Sequence, residues 1–151
     1  MIQNVVVTAI RAAWACVILI CVGCAKEEHS DRVTVYPVSG KVLVAGKPAA
    51  GAEVILYGAT PELLGPGSVS PSGTVDESGN FELGSYGPND GAPSGTFNVV
   101  VVWHEPLPEG VSRERYSPKD RLRGRYSDPQ KSSLVAEVPQ GGGELPPFEL
   151  K

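Results

Sequence analysis

Glycine and proline interrupt this chain so often that long helices are excluded from most of it. The sequence holds 18 Gly and 14 Pro, and beyond residue 35 the longest stretch without either is Thr96–Glu105. That stretch is rich in β-branched Val residues, whose stiff side chains lower helix propensity. Segments of this length and composition, separated by turns, are typical of β-strands. The sequence therefore predicts an all-β domain.

One segment, Thr96–Trp103, has the alternation of a central strand. Successive side chains of a strand point to opposite sides, so every second residue shares a face. One face of this segment is entirely apolar and consists of Phe97, Val99, Val101 and Trp103. The other face is polar only at its start. We therefore expect this strand to have neighbours on both edges and to be covered for most of its length.

Shorter alternating segments predict the remaining strands of a sandwich, namely Tyr36–Ala45, Ala52–Tyr57, Ser133–Val138 and Pro146–Lys151. Between Thr74–Val75 and Phe81–Leu83, the tetrad Glu77–Asn80 predicts a chain reversal, because Gly and Asn accept positive φ at little cost. About seven short strands joined by turns are typical of one immunoglobulin-like β-sandwich.

The segments between these strands are predicted to be turns and irregular loops. Gly46-Lys47-Pro48 has the composition of a turn. Gly58–Ser72 is too rich in Gly and Pro for regular structure, and Glu105–Pro129 is long, charged and without periodicity.

The first residues have the composition of a signal segment. Arg11 lies directly before an unbroken apolar run, Ala12–Val22. This run is too short for a bilayer span, which needs about 20 residues. Val22-Gly23-Cys24 then resembles the lipobox of bacterial lipoproteins, which implies cleavage before Cys24 and lipid attachment to its thiol. A membrane anchor that begins at Val5 and is interrupted by Arg11 is the alternative.

The lipoprotein interpretation divides the chain into a signal peptide at 1–23, a charged tether at 24–35 and a β-sandwich domain at 36–151. Cys16 and Cys21 fall in the removed segment, so the domain itself has no thiol for a disulfide or a metal site.

The charge of the exported part disfavours nucleic acid as a partner. Arg11 is the only one of the 13 Lys and Arg residues before the tether, which leaves 12 basic against 17 acidic residues and a net charge near −5. An acidic surface repels polyanions in general, including nucleic acids and anionic membranes.

Four short motifs carry a family resemblance. They are Gly40-Lys41-Val42; Gly46-Lys47-Pro48 followed by Gly51-Ala52-Glu53-Val54; Asp76 with Gly79 and Phe81; and Gly95 with Phe97, Val99 and Val101. In this order they resemble the strands and hairpins of the carboxypeptidase regulatory-like, or transthyretin-like, domain family. The segment from Tyr126 to Leu150 is similar to the C-terminal part of small bacterial lipoproteins of this group. The resemblance implies a transthyretin-like, antiparallel β-sandwich, and its motifs specify fold rather than activity.

Catalytic and metal-binding patterns are weak in this chain. Asp76–Asn80 is similar to the start of a calcium loop but lacks the later Gly, the late Glu and the flanking helices of an EF-hand. His29 lies in the tether, so His104 alone could serve a catalytic triad. The hydroxyisourate-hydrolysing subfamily of transthyretin-like proteins has a Tyr-Arg-Gly-Ser signature and paired histidines that this chain does not match. We therefore expect no cofactor, no metal and no catalysis.

The best candidate for interaction is the segment Ser112–Tyr126. It carries the charged and aromatic residues Arg113, Arg115, Tyr116, Lys119, Arg121, Arg123, Arg125 and Tyr126. Arg pairs with carboxylates or phosphates, and Tyr rings stack on sugars or planar groups. An envelope polysaccharide or an acidic protein would suit this segment. A solvated loop that balances an acidic domain is the alternative.

Together these patterns predict a non-catalytic lipoprotein, a structural or binding module displayed in the bacterial cell envelope. Ala25, directly after the lipidated cysteine, favours the outer membrane, with the domain facing the periplasm or the exterior. Two alternatives stay open. One is a carbohydrate- or peptidoglycan-binding accessory domain that uses Tyr57, Trp103, Tyr116 or Tyr126; the other is a transthyretin-like hydrolase built around His104.

Overall fold

The structure, a computed structural model, describes residues 32–60, 63–64, 70–112 and 116–151. The predicted signal peptide, the lipidation site Cys24 and all but the last residues of the tether lie outside these ranges. In the described ranges, no helix has the length and the apolar composition that a membrane crossing requires.

Strands are the regular secondary structure of the described residues, which confirms the prediction of an all-β domain. They are β1 (Val35–Tyr36), β2 (Val38–Val44), β3 (Lys47–Pro48), β4 (Glu53–Gly58), β5 (Ser72–Thr74), β6 (Asn80–Glu82), β7 (Ala92–Pro93), β8 (Gly95–Val102), β9 (Val135–Val138), β10 (Gly143–Glu144) and β11 (Phe148–Leu150). The four alternating segments and the central strand predicted from the sequence each overlap one of these strands, with ends that agree to within about two residues, apart from Pro146–Lys151, of which only the last part is strand.

The first sheet is built around β2, which has partners along both edges. On one edge, β6 pairs with Ser39–Lys41 and β3 pairs with Leu43–Val44, both antiparallel. On the other edge, β10 and β11 run parallel to β2. The sheet is therefore mixed: the sequence predicts an antiparallel sandwich, and the pairings of β3 and β6 agree with this while those of β10 and β11 do not.

The second sheet is antiparallel, in the order β5-β4-β8-β9. β8 lies between β4 and β9, which confirms the prediction that it is central. Val100, on its outer face, is only 2% exposed, so this strand is covered on both sides at its middle. A separate antiparallel pair joins β1 and β7.

The two sheets share one hydrophobic core. Inward-facing residues of β2, β6 and β11 meet those of β4, β8 and β9, and the buried set includes Val42, Val54, Leu56, Phe81, Phe97, Val99, Ala136, Val138, Phe148 and Leu150. The rings of Phe81 and Phe148 stack with their centroids 6.2 Å apart. Two sheets facing one core is an arrangement consistent with a β-sandwich.

The predicted reversal at Glu77–Asn80 is present, but it links two sheets. β5 pairs with β4 and β6 pairs with β2, so the strands on either side of the turn part into different layers. They remain in contact at their base, where Ser72 and Gly84 exchange two backbone hydrogen bonds. The local sequence predicted the turn correctly; which partner each arm takes depends on distant strands.

The first hairpin turns one residue earlier than predicted. Ala45 and Gly46 occupy its two central positions with φ of 49° and 79°, and Lys47–Pro48 is already the returning strand β3. Positive φ at both central residues is the signature of a type I′ turn, whose twist matches that of the flanking strands.

Candidate binding site

The segment Lys119–Arg125, named here the basic turn, is joined to the end of β8 by the Asp120 carboxylate and by backbone hydrogen bonds. Asp120 Oδ1 accepts hydrogen bonds from the backbone N–H groups of Trp103 and Leu122, both at 3.0 Å, and Oδ2 accepts one from Gly124 at 2.7 Å. The Trp103 carbonyl in turn accepts the N–H of Arg121 at 2.7 Å. These contacts fix both the shape of the turn and its position.

Overlapping tight turns give the segment its shape. The Arg123 N–H donates to the Asp120 carbonyl at 3.0 Å, and the Arg125 N–H donates to the Leu122 carbonyl at 3.2 Å. Arg123 and Gly124 both have positive φ, 56° and 71°. Leu122 is buried at 7% exposure, whereas Arg121, Arg123 and Arg125 are all exposed. The backbone thus directs one apolar side chain into the core and the cationic ones outward.

The cationic groups of the basic turn have no ion-pair partner among the described residues. Within those ranges, the only ion pair joins Lys131 to Asp128 at 2.9 Å. Asp120, the one acidic residue inside the turn, directs its oxygens to backbone N–H groups. Arg125 Nη1 donates to the Lys151 carbonyl. The turn therefore presents a concentrated positive charge on an otherwise acidic protein.

Trp103 lies directly beneath this charge. The guanidinium carbon of Arg121 is 3.7 Å from the centroid of the Trp103 ring, the geometry of a cation–π contact. The indole Nε1–H donates to the Ala50 carbonyl at 2.9 Å, and the half-buried side chain packs against the core. The ring is therefore fixed in orientation, with Arg121 covering it.

Tyr126 is predicted from the sequence to take part in an interaction surface, but the structure buries its side chain. It is 9% exposed and packs in the core. Its hydroxyl accepts the N–H of Lys151 at 3.3 Å, and its carbonyl accepts the N–H of Val101 at 3.1 Å. Tyr126, directly after the turn, fills the space beside β8. The sequence does not predict this, because the segment around Tyr126 is rich in charged residues.

The other predicted interaction residues are scattered. Tyr116 is half-buried, and Arg113 and Arg115 lie outside the described residues. Tyr57 is 38% exposed on the outer face of the second sheet, in the same row as Asn98 and the exposed Val135. The four aromatic residues proposed for carbohydrate binding therefore do not form one platform; of these, Trp103 is the one whose ring lies against a cation of the basic turn.

His104 and the Asp76 turn are the remaining sites considered from sequence. His104 is exposed and bridges through its backbone to Asp120. The Asp76 carboxylate accepts the N–H groups of Ser78 and Asn80, both at 2.8 Å, and the hydrogen bond from the Asn80 backbone is the main reason that its pKa is lowered. Its oxygens thus serve a hairpin turn. No cluster of metal-ligating side chains occurs in the described part of the chain.

An acidic groove was not anticipated from the sequence. It has a volume of about 660 Å³ and lies where β5 and β6 part, and the residues that line it include Glu53, Asp76 and Glu82. A second concavity of about 470 Å³ shares Glu82 and adds Glu144. The contributing residues are far apart in sequence, so no local pattern indicates that they converge.

Asp120 is the structural residue that sequence reasoning missed. An Asp followed four residues later by Gly is a recognisable turn signal, since Asp side chains accept backbone N–H groups of the next residues.

A scan of protein-family models found no match for this chain, and searches of the curated proteins and of the solved structures found none either.

Proposed function

We propose that this protein is a non-catalytic binding module of the bacterial cell envelope, which holds acidic partner molecules at its basic turn. The observation that carries the proposal is the combination of an exposed cationic surface and a rigid backbone. Three Arg side chains lie outside the core, and Asp120 fixes the backbone beneath them. A surface that is ordered before binding loses less entropy on association.

The conformation of Arg123 gives independent support. A non-glycine residue with φ of 56° is under strain, and such residues often mark sites where function opposes stability. Asn or Gly would adopt this conformation at lower cost. An Arg at this position keeps a guanidinium at the tip of the turn despite that cost.

The finer fold assignment is part of the same proposal. We take the domain to be of the transthyretin-like, carboxypeptidase regulatory-like type, and the packing of its motif residues supports this. A Cβ atom on Gly40 would lie 2.6 Å from Cζ of Phe81, so the Gly of one motif makes room for the Phe of another. Phe97 and Val101 of the last motif are fully buried.

Lipid attachment at Cys24 would place the domain on a membrane, as the lipobox resemblance implies, and Ala25 favours the outer membrane. Two or three acyl chains are sufficient for stable anchoring. Metabolic labelling with palmitate tests this: the parent chain is expected to incorporate label and to fractionate with membranes, and Cys24→Ala to do neither. Labelling that persists in Cys24→Ala is the result against lipidation.

A charge-reversal variant tests the basic turn. Arg121→Glu combined with Arg123→Glu is expected to abolish co-purification of partners from detergent-solubilised envelope, because opposite charges at an exposed rim control association. Lys47→Glu, an exposed cation on β3, is the matched control and should retain the partners. Equal recovery with both variants would show that binding does not involve the turn.

A further inference from the structure

We infer that the ligand of the basic turn is an acidic polysaccharide, bound when Arg121 moves off Trp103 so that a sugar ring takes its place. The inference rests on the proposed function, since it names the ligand class of the same site. It comes from the pairing of a guanidinium and an indole ring at 3.7 Å beside the other cations of the basic turn.

Arg121 is held over the ring weakly. Its guanidinium makes no hydrogen bond or ion pair to a described residue, and its backbone N–H donates to the Trp103 carbonyl. A cation–π contact at an exposed position is a weak interaction, and a charge-assisted hydrogen bond to a carboxylate is stronger. An oxyanion arriving at the turn can therefore draw the side chain away while the backbone stays in place.

Trp103 is held firmly, by contrast. The hydrogen bond from Nε1–H to the Ala50 carbonyl and the contact with the core fix its orientation. Once Arg121 has left, an apolar ring face is exposed beside several cations. A peptide carboxylate uses only the cations, whereas a polymer of acidic sugars uses both: its carboxylates pair with Arg121 and Arg123, and one sugar ring covers the indole.

The inference can be tested by fluorescence, because the chain has two Trp residues and Trp14 lies in the predicted signal segment. In the full-length chain carrying Trp14→Phe, Trp103 is the only indole. The probes are polygalacturonate, neutral dextran and polyglutamate of similar length. Affinity electrophoresis reports binding, and acrylamide quenching reports how accessible the Trp103 ring is to solvent.

We expect polygalacturonate to retard the protein and to keep Trp103 at least as protected from acrylamide as in the free protein. Polyglutamate should retard the protein but increase quenching, because Arg121 leaves the ring uncovered, and dextran should change neither. Arg121→Gln should weaken retardation by polygalacturonate about tenfold, the effect of losing one charge-assisted contact. Lys47→Gln should leave it unchanged. Arg121 is exposed, so its replacement does not threaten the fold.

Two outcomes overturn the inference, and they differ in what they say of the proposed function. In the first outcome, both acidic polymers retard the protein and have the same effect on acrylamide quenching of Trp103. This result excludes stacking of a sugar on the ring and leaves a general site for acidic ligands. If neither polymer retards the protein, the turn does not bind acidic polymers, and the proposed function fails together with the inference.

Discussion

Ala45 occupies a backbone conformation that few residues other than Gly and Asn accept. It stands at the first central position of the type I′ turn between β2 and β3, with φ of 49°. Its N–H donates to the Leu150 carbonyl at 3.0 Å, so the turn is also joined to the neighbouring strand β11. The fold imposes this conformation even though the sequence at the position does not favour it.

We expect Ala45→Asn to raise the free energy of unfolding by about 0.5–1 kcal/mol, since Asn tolerates the left-handed region and is preferred before Gly in this turn. Gly46→Ala is the matched control. It has open space for its Cβ atom at φ of 79°, so only backbone strain is added and stability should fall. Urea denaturation measures both; a loss of stability in Ala45→Asn would argue against the type I′ geometry.

The basic turn shows how one side chain organises a whole element. Four cations dominate the sequence of this turn, whereas its structure depends on the one anion among them, Asp120. Asp120 accepts three backbone hydrogen bonds. At the edge of β8 that β9 leaves uncovered, the Arg121 N–H donates to the Trp103 carbonyl, and the carbonyl of Tyr126, directly after the turn, accepts the Val101 N–H. The charged loop is therefore part of the second sheet's edge as well as a surface.

We expect Asp120→Ala to destabilise the domain by about 1–3 kcal/mol, because three backbone N–H groups, two of them half-buried, lose their acceptor. Asp120→Asn retains one carbonyl oxygen and should lose less. Amide hydrogen exchange of Leu122 and Gly124, together with chemical denaturation, measures the effect. Unchanged exchange at these two amides in Asp120→Ala would mean that the carboxylate does not hold the turn.

The whole molecule depends on the core that its two sheets share, in which Phe81 is one of the largest buried side chains. Phe81 is 2% exposed and its ring stacks on Phe148, so strands from the middle and the end of the domain meet at this side chain. Gly40, which lies opposite on β2, has no side chain that would compete for the space.

We expect Phe81→Ala to lower the free energy of unfolding by about 3–5 kcal/mol, the usual effect of deleting a buried aromatic side chain. Val135→Ala is the control: that residue is 57% exposed, so the change should stay within about 0.5 kcal/mol. Thermal and urea unfolding measure both. A melting temperature unaffected by Phe81→Ala would remove that residue from the core.

The sequence predicts best where one strand's own alternation decides the outcome. Thr96–Trp103 alternates cleanly, and the burial of Phe97, Val99 and Val101 on one face follows directly from side-chain direction. The acidic groove and the burial of Tyr126 depend on segments brought together from across the chain, so local pattern could not reveal them. The same holds for the parting of β5 and β6, since each strand's partner is remote.

The parallel pairing of β11 with β2 has a consequence for the order in which this domain assembles. One edge of β2 is completed by its neighbours in the first half of the domain, whereas its other edge waits for residues at the far end. Closing the long loop between β2 and β11 costs conformational entropy before the contacts between these strands can form and stabilise the sheet. Domains dominated by such distant pairings fold slowly. If the polypeptide were exported through a channel from its N-terminus, the first sheet would stay incomplete until nearly all of the chain had emerged.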